Sequence, residues 1–203
     1  LNTVRALPGV KVASPAVTGA ALVVRGVASR SLSLNAVDIT LYQQIVNLEE
    51  KIVAGRVRLE ASDLLIGTEL ASDLGVTIGD KLLVQSATGS SNHFVVTGIL
   101  DLGNKGANQR TGFMALHSGQ SLLGYPGGIT GMDVTVHDVY AAEHVAQQIH
   151  QLTGLEADSW IKTNAQFFSA ISSQTLANTA IRFFVALSVA FGIASVLVVS
   201  VVQ

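Results

Sequence analysis

Hydrophobic and polar positions follow two periodicities along this chain, one typical of strands and one typical of helices. Several segments have the apolar, β-branched or alternating composition that is typical of strands. They are residues 11–27, 31–39, 81–87, 93–100, 111–116, 130–137 and 155–160. Over residues 139–152, apolar positions recur at helical spacing and predict a helix. The chain therefore mixes strands with helices.

A second unit is predicted to begin near Ala61. Ser62 or Asp63 can cap a helix that runs through residues 65–74, with Gly75 as its C-terminal end. Shorter helices are predicted at 40–46 and 117–123, a charged connector at 48–58, and a flexible polar loop at 103–110.

The pattern changes at residues 183–202, which carry no charge and no proline. Twenty helical residues span about 30 Å, the thickness of the hydrocarbon core of a bilayer. A buried helix or a pair of core strands is the weaker interpretation, because strands seldom exceed ten residues and no turn signal interrupts the run. We predict a membrane-spanning helix here, and we expect the chain to be part of a longer protein at both ends.

The residues before this run predict a stalk. Thr163 and Gln166 have the spacing of a capping box, and neither proline nor glycine follows until Gly192. One helix of about 58 Å could therefore run from Asn164 into the membrane. Trp160, the only tryptophan, stands just before it and is predicted to be a packing anchor.

Composition narrows the class of protein. Hydrophobic residues make up 49% of the chain and charged residues 13%, and the net charge is -2. Nucleic-acid binding is therefore not expected, since it requires a basic face. With no cysteine in the chain, thiolate metal sites and disulfides are excluded.

The sequence lacks the motifs that are typical of catalytic, metal-binding and phosphate-binding sites. The segment from Gly98 to Lys105 departs from a phosphate-binding loop, because Asn104 separates Gly103 from the lysine. The five histidines lack metalloprotease spacing, and no G-x-S-x-G elbow occurs. We therefore expect no catalytic residues, no metal and no cofactor, and a membrane-bound hydrolase is disfavoured.

Two segments carry a family resemblance. The first reads LLIGTELASDLGVTIGDKLLVQS, followed by HFVVTGIL, and the second reads DSWIKTNAQFFSAI. Together they resemble the periplasmic core domain of ABC-transporter permeases of the MacB and LolC/LolE kind (type VII). The residues proposed as its structural signature are Gly67, Leu74, Gly75, Gly79, Asp80, Trp160 and Asn164.

The resemblance implies an α+β fold. An α/β porter part would comprise residues 1–60 and 117–163, and residues 61–116 would form an inserted, β-rich sabre part. Residues 164–203 would be a stalk helix that continues into a transmembrane helix. The loop at 88–92 is shorter than the long hook with which LolC recruits a lipoprotein carrier, and the segment 103–110 is the candidate to replace it.

The implied function is that of a permease subunit in a bacterial inner membrane, with most of this chain in the periplasm. Its partners would be a separate ABC ATP-binding subunit, a second permease copy or paralogue, and the lipid bilayer. The domain would couple ATP hydrolysis to movement of a hydrophobic or lipid-linked substrate, lipoprotein release included. The alternative is a membrane-anchored periplasmic binding or sensor module without transport activity.

Overall fold

A computed structural model of the chain describes residues 2–163 and 178–193. The chain divides into two compact units, Leu1–His137 and Asp138–Gln203. Each unit has its own architecture and is described by itself.

The described residues of unit 1 contain eight strands and five short α-helices. The strands are β1 (Val10–Arg25), β2 (Ala28–Val37), β3 (Ile52–Gly55), β4 (Asp63–Gly67), β5 (Lys81–Ser86), β6 (Ser91–Leu100), β7 (Thr111–Ala115) and β8 (Gly131–Val136). The helices are α1 (Asn2–Arg5), α2 (Ile39–Tyr42), α3 (Thr68–Leu74), α4 (Lys105–Arg110) and α5 (Leu116–Leu123).

Six of these strands form a closed barrel. They pair in the circuit β1–β2–β7–β4–β6–β5, and β5 pairs again with β1. The β2–β7 and β4–β6 pairs are parallel, and the other four are antiparallel. β8 extends the N-terminal part of β1, and β3 pairs with the end of β6. Closure satisfies both edges of the barrel strands, which removes the liability of an open sheet.

The interior of the barrel is filled with side chains. Successive side chains of a strand point to opposite faces, so every second residue points inward. The inward residues below are all at most 2% exposed. They are Val17, Val23, Leu32, Leu34, Leu64, Ile66, Leu82, Val84, Phe94, Val96 and Met114. A six-stranded barrel packed in this way is a core and not a channel.

Two helices close the barrel at opposite ends. α3 follows β4 and α5 follows β7, and these two strands are antiparallel. Leu70 and Leu74 of α3, and Leu122 and Leu123 of α5, join the interior cluster. We call these ends the α3 end and the α5 end of the barrel.

A second core lies on the outside of the barrel. Leu48 and Leu59, from the segment between β2 and β4, pack with outward residues of the barrel strands. The ring of Tyr42 on α2 lies 5.8 Å from that of Phe113 on β7, centroid to centroid. Residues 38–59 therefore cover one outer side of the barrel.

Three predicted elements are wrong. Residues 65–67, predicted as the first turn of a helix, belong to strand β4, and α3 begins at Thr68. Residues 103–110, predicted as a flexible loop, contain helix α4, whose first turn is capped by the side chain of Asn104. Residues 155–160 contain no strand, and a helix begins at Trp160.

The wrong boundary between β4 and α3 has a tertiary cause. β4 pairs on both sides, with β6 and β7, so burial in the barrel overrides its local helical pattern. The predicted end of α3 is confirmed, since Gly75 adopts the left-handed conformation with φ of 61°.

Unit 2 is helical in its described part. It contains α6 (Ala142–Thr153), α7 (Trp160–Thr163) and a helical segment at residues 178–193. Ala142, Val145 and Ala146 form the buried side of α6. Gly154 ends α6 with φ of 70°, which is again the left-handed cap.

The predicted membrane helix is described only in part. Residues 183–193 are helical with exposed side chains, whereas residues 164–177 and 194–203 lie outside the described residues. Within 2–163 and 178–193, no helix combines the length and the apolar character needed to cross a bilayer. The continuous helix from Asn164 through residue 202 stays a prediction.

The predicted porter and sabre parts contribute to the same barrel. β1 and β2 come from residues 1–60, and β4, β5, β6 and β7 come from residues 61–116. The division of the chain into these two parts stays a prediction.

Gly119 allows α5 to approach the barrel, because a Cβ at this position would overlap the Cβ of Ala36. We expect Gly119→Ala to lower the free energy of unfolding by about 1–3 kcal/mol, the usual cost of overpacking. Thermal unfolding of the full chain in detergent measures this change. Gly131→Ala is the matched control, since its Cβ would meet no atom within 4 Å. Equal melting of the two variants would show that α5 can shift freely.

Candidate functional site

Five of the predicted signature residues gather at the α3 end of the barrel. Gly67 precedes α3, and Leu74 and Gly75 end it. Gly79 and Asp80 follow directly before β5. We call residues 74–80 the signature turn.

Gly67, the last residue of β4, lies directly against α4. A Cβ on Gly67 would overlap the backbone of Asn108 in α4. Only glycine therefore lets the end of β4 approach α4 this closely. Leu74, the next signature residue, is 6% exposed and packs into the barrel core.

The signature turn is held by hydrogen bonds to its own backbone. The carboxylate of Asp80 accepts hydrogen bonds from the backbone N–H of Thr77 at 2.8 Å and from its hydroxyl at 3.4 Å. The backbone N–H of Gly79, where φ is 91°, donates to the carbonyl of Val96 on β6 at 2.8 Å. The L-G-x-x-x-G-D pattern therefore builds a turn from the end of α3 into β5.

Arg25 fastens the signature turn to the neighbouring hairpin. It is the last residue of β1, and Gly26 follows with φ of 58°, as a tight hairpin turn requires. The guanidinium donates hydrogen bonds to the carbonyls of Leu74 and Gly75, and it lies 3.1 Å from the Asp80 carboxylate. It thus satisfies helix-end carbonyls that the chain would otherwise leave unpaired.

Charged and polar side chains also bind α3 to α4 and β2. The Asp73 carboxylate lies 3.5 Å from Nε of Arg30, and Glu69 lies 3.8 Å from the Lys105 ammonium. Gln109 donates a hydrogen bond to Asp73 at 3.1 Å. The Gln109 hydrogen bond, and after it the Arg30 guanidinium, holds the pKa of Asp73 below its usual value.

Asn108 organises the loop before α4. Its buried side chain donates to Asp101 at 2.8 Å and accepts from the backbone N–H of Leu102 at 2.7 Å. Asp101 also accepts from the backbone N–H of Gly103 at 2.8 Å. The Asn108 hydrogen bond, followed by that of Gly103, lowers the pKa of Asp101.

A groove of about 390 Å³ borders the signature turn. Its lining comes from the segment after β3, from the turn before β5 and from β6, namely Gly55, Arg56, Arg58, Ile78, Gly79, Val95, Val96 and Thr97. Arg58 pairs with Asp63 through two hydrogen bonds of 2.8 and 3.2 Å, and this carboxylate raises the pKa of the guanidinium.

Trp160 opens α7 in unit 2, one residue after Ser159. The buried hydroxyl of Ser159 donates to the carboxylate of Glu143 on α6 at 2.5 Å and accepts from the backbone N–H of Lys162 at 3.2 Å. Helix α7 thus spans Trp160–Thr163, and the predicted stalk helix after Thr163 begins in residues that the structure does not describe. Asn164 lies outside the described residues.

Side chains that could hold a metal do not cluster in the described ranges, where no group of three or more His, Asp or Glu residues meets. His144 and His150 contact neighbours on their own unit, Gln148 and the carbonyl of Leu155. The side-chain contacts in these ranges stabilise turns and helix ends.

Sequence reasoning missed Arg25, Asn108 and Ser159. Their roles depend on partners that are distant in sequence, as when Arg25 meets Asp80. The one local signal was Gly26 directly after Arg25, which marks a hairpin turn and so places the arginine at the end of a strand.

Solved structures with the same fold come from bacterial transporters. The chain is similar to the extracellular domain of the noncanonic ABC-type transporter YknZ from Gram-positive bacteria, with a TM-score of 0.56, 14% identity and coverage of 78% of this chain and 83% of that one. It is also similar to the periplasmic region of MacB from Actinobacillus actinomycetemcomitans, with a TM-score of 0.54, 15% identity and coverage of 77% and 73%. No curated protein matches the chain.

These likenesses define a mixed α/β fold, shared with the extracellular domain of YknZ and the periplasmic region of MacB. The MacB-like periplasmic core domain family matches residues 1–152. The chain belongs to that family, and its predicted resemblance to MacB-like permeases is confirmed.

Replacing Arg25 by Met should loosen the signature turn, because the carbonyls of Leu74 and Gly75 lose their donor. The side chains of Arg25 and Asp80 are 38% and 33% exposed, so water compensates in part. We expect a loss of about 1 kcal/mol in the free energy of unfolding, measured by thermal denaturation of the full chain. Arg110→Met is the control, since the Arg110 guanidinium has no hydrogen bond or ion pair within residues 2–163. Identical melting of both variants would contradict this role.

Replacing Asp101 by Asn should reduce the sensitivity of the fold to acid. The folded pKa of Asp101 lies below its ordinary value of 3.8, so its carboxylate stabilises the fold above that pH and loses the effect as pH falls through the folded pKa. We expect the variant to melt below the wild type at neutral pH, with a difference that shrinks below about pH 4. Glu156→Gln, an exposed position, should leave this pH dependence unchanged. A difference that grows in acid would refute the prediction.

Proposed function

We propose that this chain is the extracytoplasmic domain of an ABC-transporter permease and that it couples cytoplasmic ATP hydrolysis to movement of a hydrophobic or lipid-linked substrate. The general transporter role follows from the family to which residues 1–152 belong. The coupling, the substrate class and the likeness to LolC/LolE permeases are parts of the proposal.

The observation that carries the proposal is the filled, closed barrel. A packed interior changes shape reluctantly, because displacing one side chain forces its neighbours to move. The barrel core has no lumen through which a substrate could pass. A packed barrel of this kind is suited to move as a rigid unit when the membrane helices move. It would contact a substrate only through its outer surface.

The apolar run supplies the proposed connection to the membrane. Large apolar side chains cover the helix at residues 178–193, among them Phe183, Phe184 and Leu187, which are 42% or more exposed. Exposure of this kind is stable in lipid and not in water. We propose that this helix belongs to the stalk and the transmembrane helix, and that the signature residues have a structural role.

The proposed partners follow from the same family. They are a separate ABC ATP-binding subunit, a second permease copy or paralogue, and the bilayer of a bacterial inner membrane, with this domain on the periplasmic side. In this scheme, ATP-driven closure of the ATP-binding subunits moves the membrane helices, and the stalk carries the movement to the barrel.

Breaking the helix just before the apolar run tests the coupling. Ile181 lies in the helical segment 178–193, where proline would remove a hydrogen bond and kink the chain. Ser31→Cys on the outward face of β2 would be the one cysteine of this chain, and it can carry a spin label once any cysteines elsewhere in the complete transporter have been replaced by serine. In the complete transporter, we expect trapping with ATP to change the label-to-label distance in the wild type. Ile181→Pro should abolish that change while ATP hydrolysis continues.

Ile181→Leu is the matched control and should retain the ATP-dependent change in distance. An unchanged response in Ile181→Pro would rule out transmission through this helix. If no ATP-binding subunit purifies with the intact permease, the chain is instead a membrane-anchored binding or sensor module.

A further inference from the structure

The groove beside the signature turn lies on the outside of the barrel. Its floor includes Val95 and Thr97 of β6. These residues alternate with Phe94 and Val96, which point into the barrel, so the side chains of Val95 and Thr97 point outward. Ile78 and the segment that follows β3 complete the walls. The groove is therefore separate from the packed core.

The side chains in the groove combine an apolar surface with cations. Ile78 is 42% exposed although it is a large aliphatic residue, and Val95 is only partly buried. Arg58 is committed to Asp63, but the Arg56 guanidinium has no hydrogen bond or ion pair within residues 2–163. Lys81, the cross-strand neighbour of Val95, is exposed and is also unpaired in this part of the chain. The groove thus pairs an aliphatic surface with uncompensated positive charge.

Backbone N–H groups that line the groove already donate hydrogen bonds within the protein. This limits the kinds of ligand that the groove can bind. The N–H of Arg56 donates to the carbonyl of Thr97, and the N–H of Gly79 donates to that of Val96. The N–H of Val96 donates to the carbonyl of Asp80. These three N–H groups are therefore not available to a peptide strand, which binds through such main-chain bonds. The exposed aliphatic surface and the Arg56 guanidinium are the features of the groove that remain open to a ligand.

We propose that this groove binds a single acyl chain that ends in an anionic group. The chain would lie on Ile78 and Val95, and the anion would accept hydrogen bonds from the Arg56 guanidinium, which suits carboxylate and phosphate groups. A volume of about 390 Å³ is in the range of small-molecule sites. The inference rests on the proposed function, since it assigns a site and a chemical class to the hydrophobic or lipid-linked substrate.

The test uses the full chain in nanodiscs of phosphatidylcholine, which carries no net charge. The probe is dodecanoic acid with a photoreactive diazirine near the end of its chain. Peptides labelled on irradiation are identified and quantified by mass spectrometry. We expect labelling of the peptides that contain Ile78 and Val95, and we expect unlabelled dodecanoate to compete while dodecanol of equal chain length does not.

Substitution of Arg56 separates charge from packing. Arg56→Gln should lower labelling in the groove about tenfold, because it removes a charge-assisted hydrogen bond. Arg56→Lys keeps the charge and should retain most of the labelling. Arg110→Gln removes an exposed arginine of α4, outside the groove, and should have no effect. Melting curves of the four proteins establish that each variant is folded.

Three results would overturn the proposal. They are equal labelling of Arg56→Gln and Arg110→Gln, equal competition by dodecanol and dodecanoate, and stronger competition by an acidic peptide than by dodecanoate. This experiment reads binding alone, without ATP or an ATP-binding subunit. Failure of the groove is therefore distinguishable from failure of coupling, which the spin-label distances report.

Discussion

The pairing of β1 with two partners at once is the constraint on which unit 1 depends. Residues Ala21 to Val24 of β1 pair with β2 along one edge and with β5 along the other. Without the second pairing, the circuit of six strands would be an open sheet with exposed edges. Closure also creates the two ends that α3 and α5 cover, and it places Arg25 where the signature turn begins.

The signature turn shows how a sequence pattern can be structural without being catalytic. Gly67 permits the close approach of the end of β4 to α4, Gly75 and Gly79 supply left-handed backbone, and Asp80 orders the turn between them. Arg25 then connects this turn to the β1–β2 hairpin. The residues that resemble the family therefore form one continuous piece of support at the α3 end, bordering the groove that contains Arg56.

Sequence alone predicted most strands and the glycine that ends α3, because both depend on neighbouring residues. The alternation in β2 and the glycine that ends α3 are local signals of this kind. Closure of the barrel was not predicted, since it depends on pairings such as Ser33 with Thr111, which no local pattern encodes. β4 was misread for the same reason, and α4 was missed because its cap, Asn104, stands in a polar segment rich in glycine. The groove escaped prediction because its walls come from three separate segments of the chain.

The two parallel pairings have a consequence for the order in which the chain becomes native. β2 can pair with β7, and β4 with β6, only after the later strand of each pair is available, because parallel strands are joined by a long crossover. A domain rich in such non-local contacts folds slowly relative to the appearance of its first strands. If it crosses a membrane in extended form, N-terminus first, its barrel can close only after Ala115 has emerged. Until then, the outer edge of β2 stays unpaired, and this interval is when the nascent domain is most open to misassembly or to protection by a chaperone.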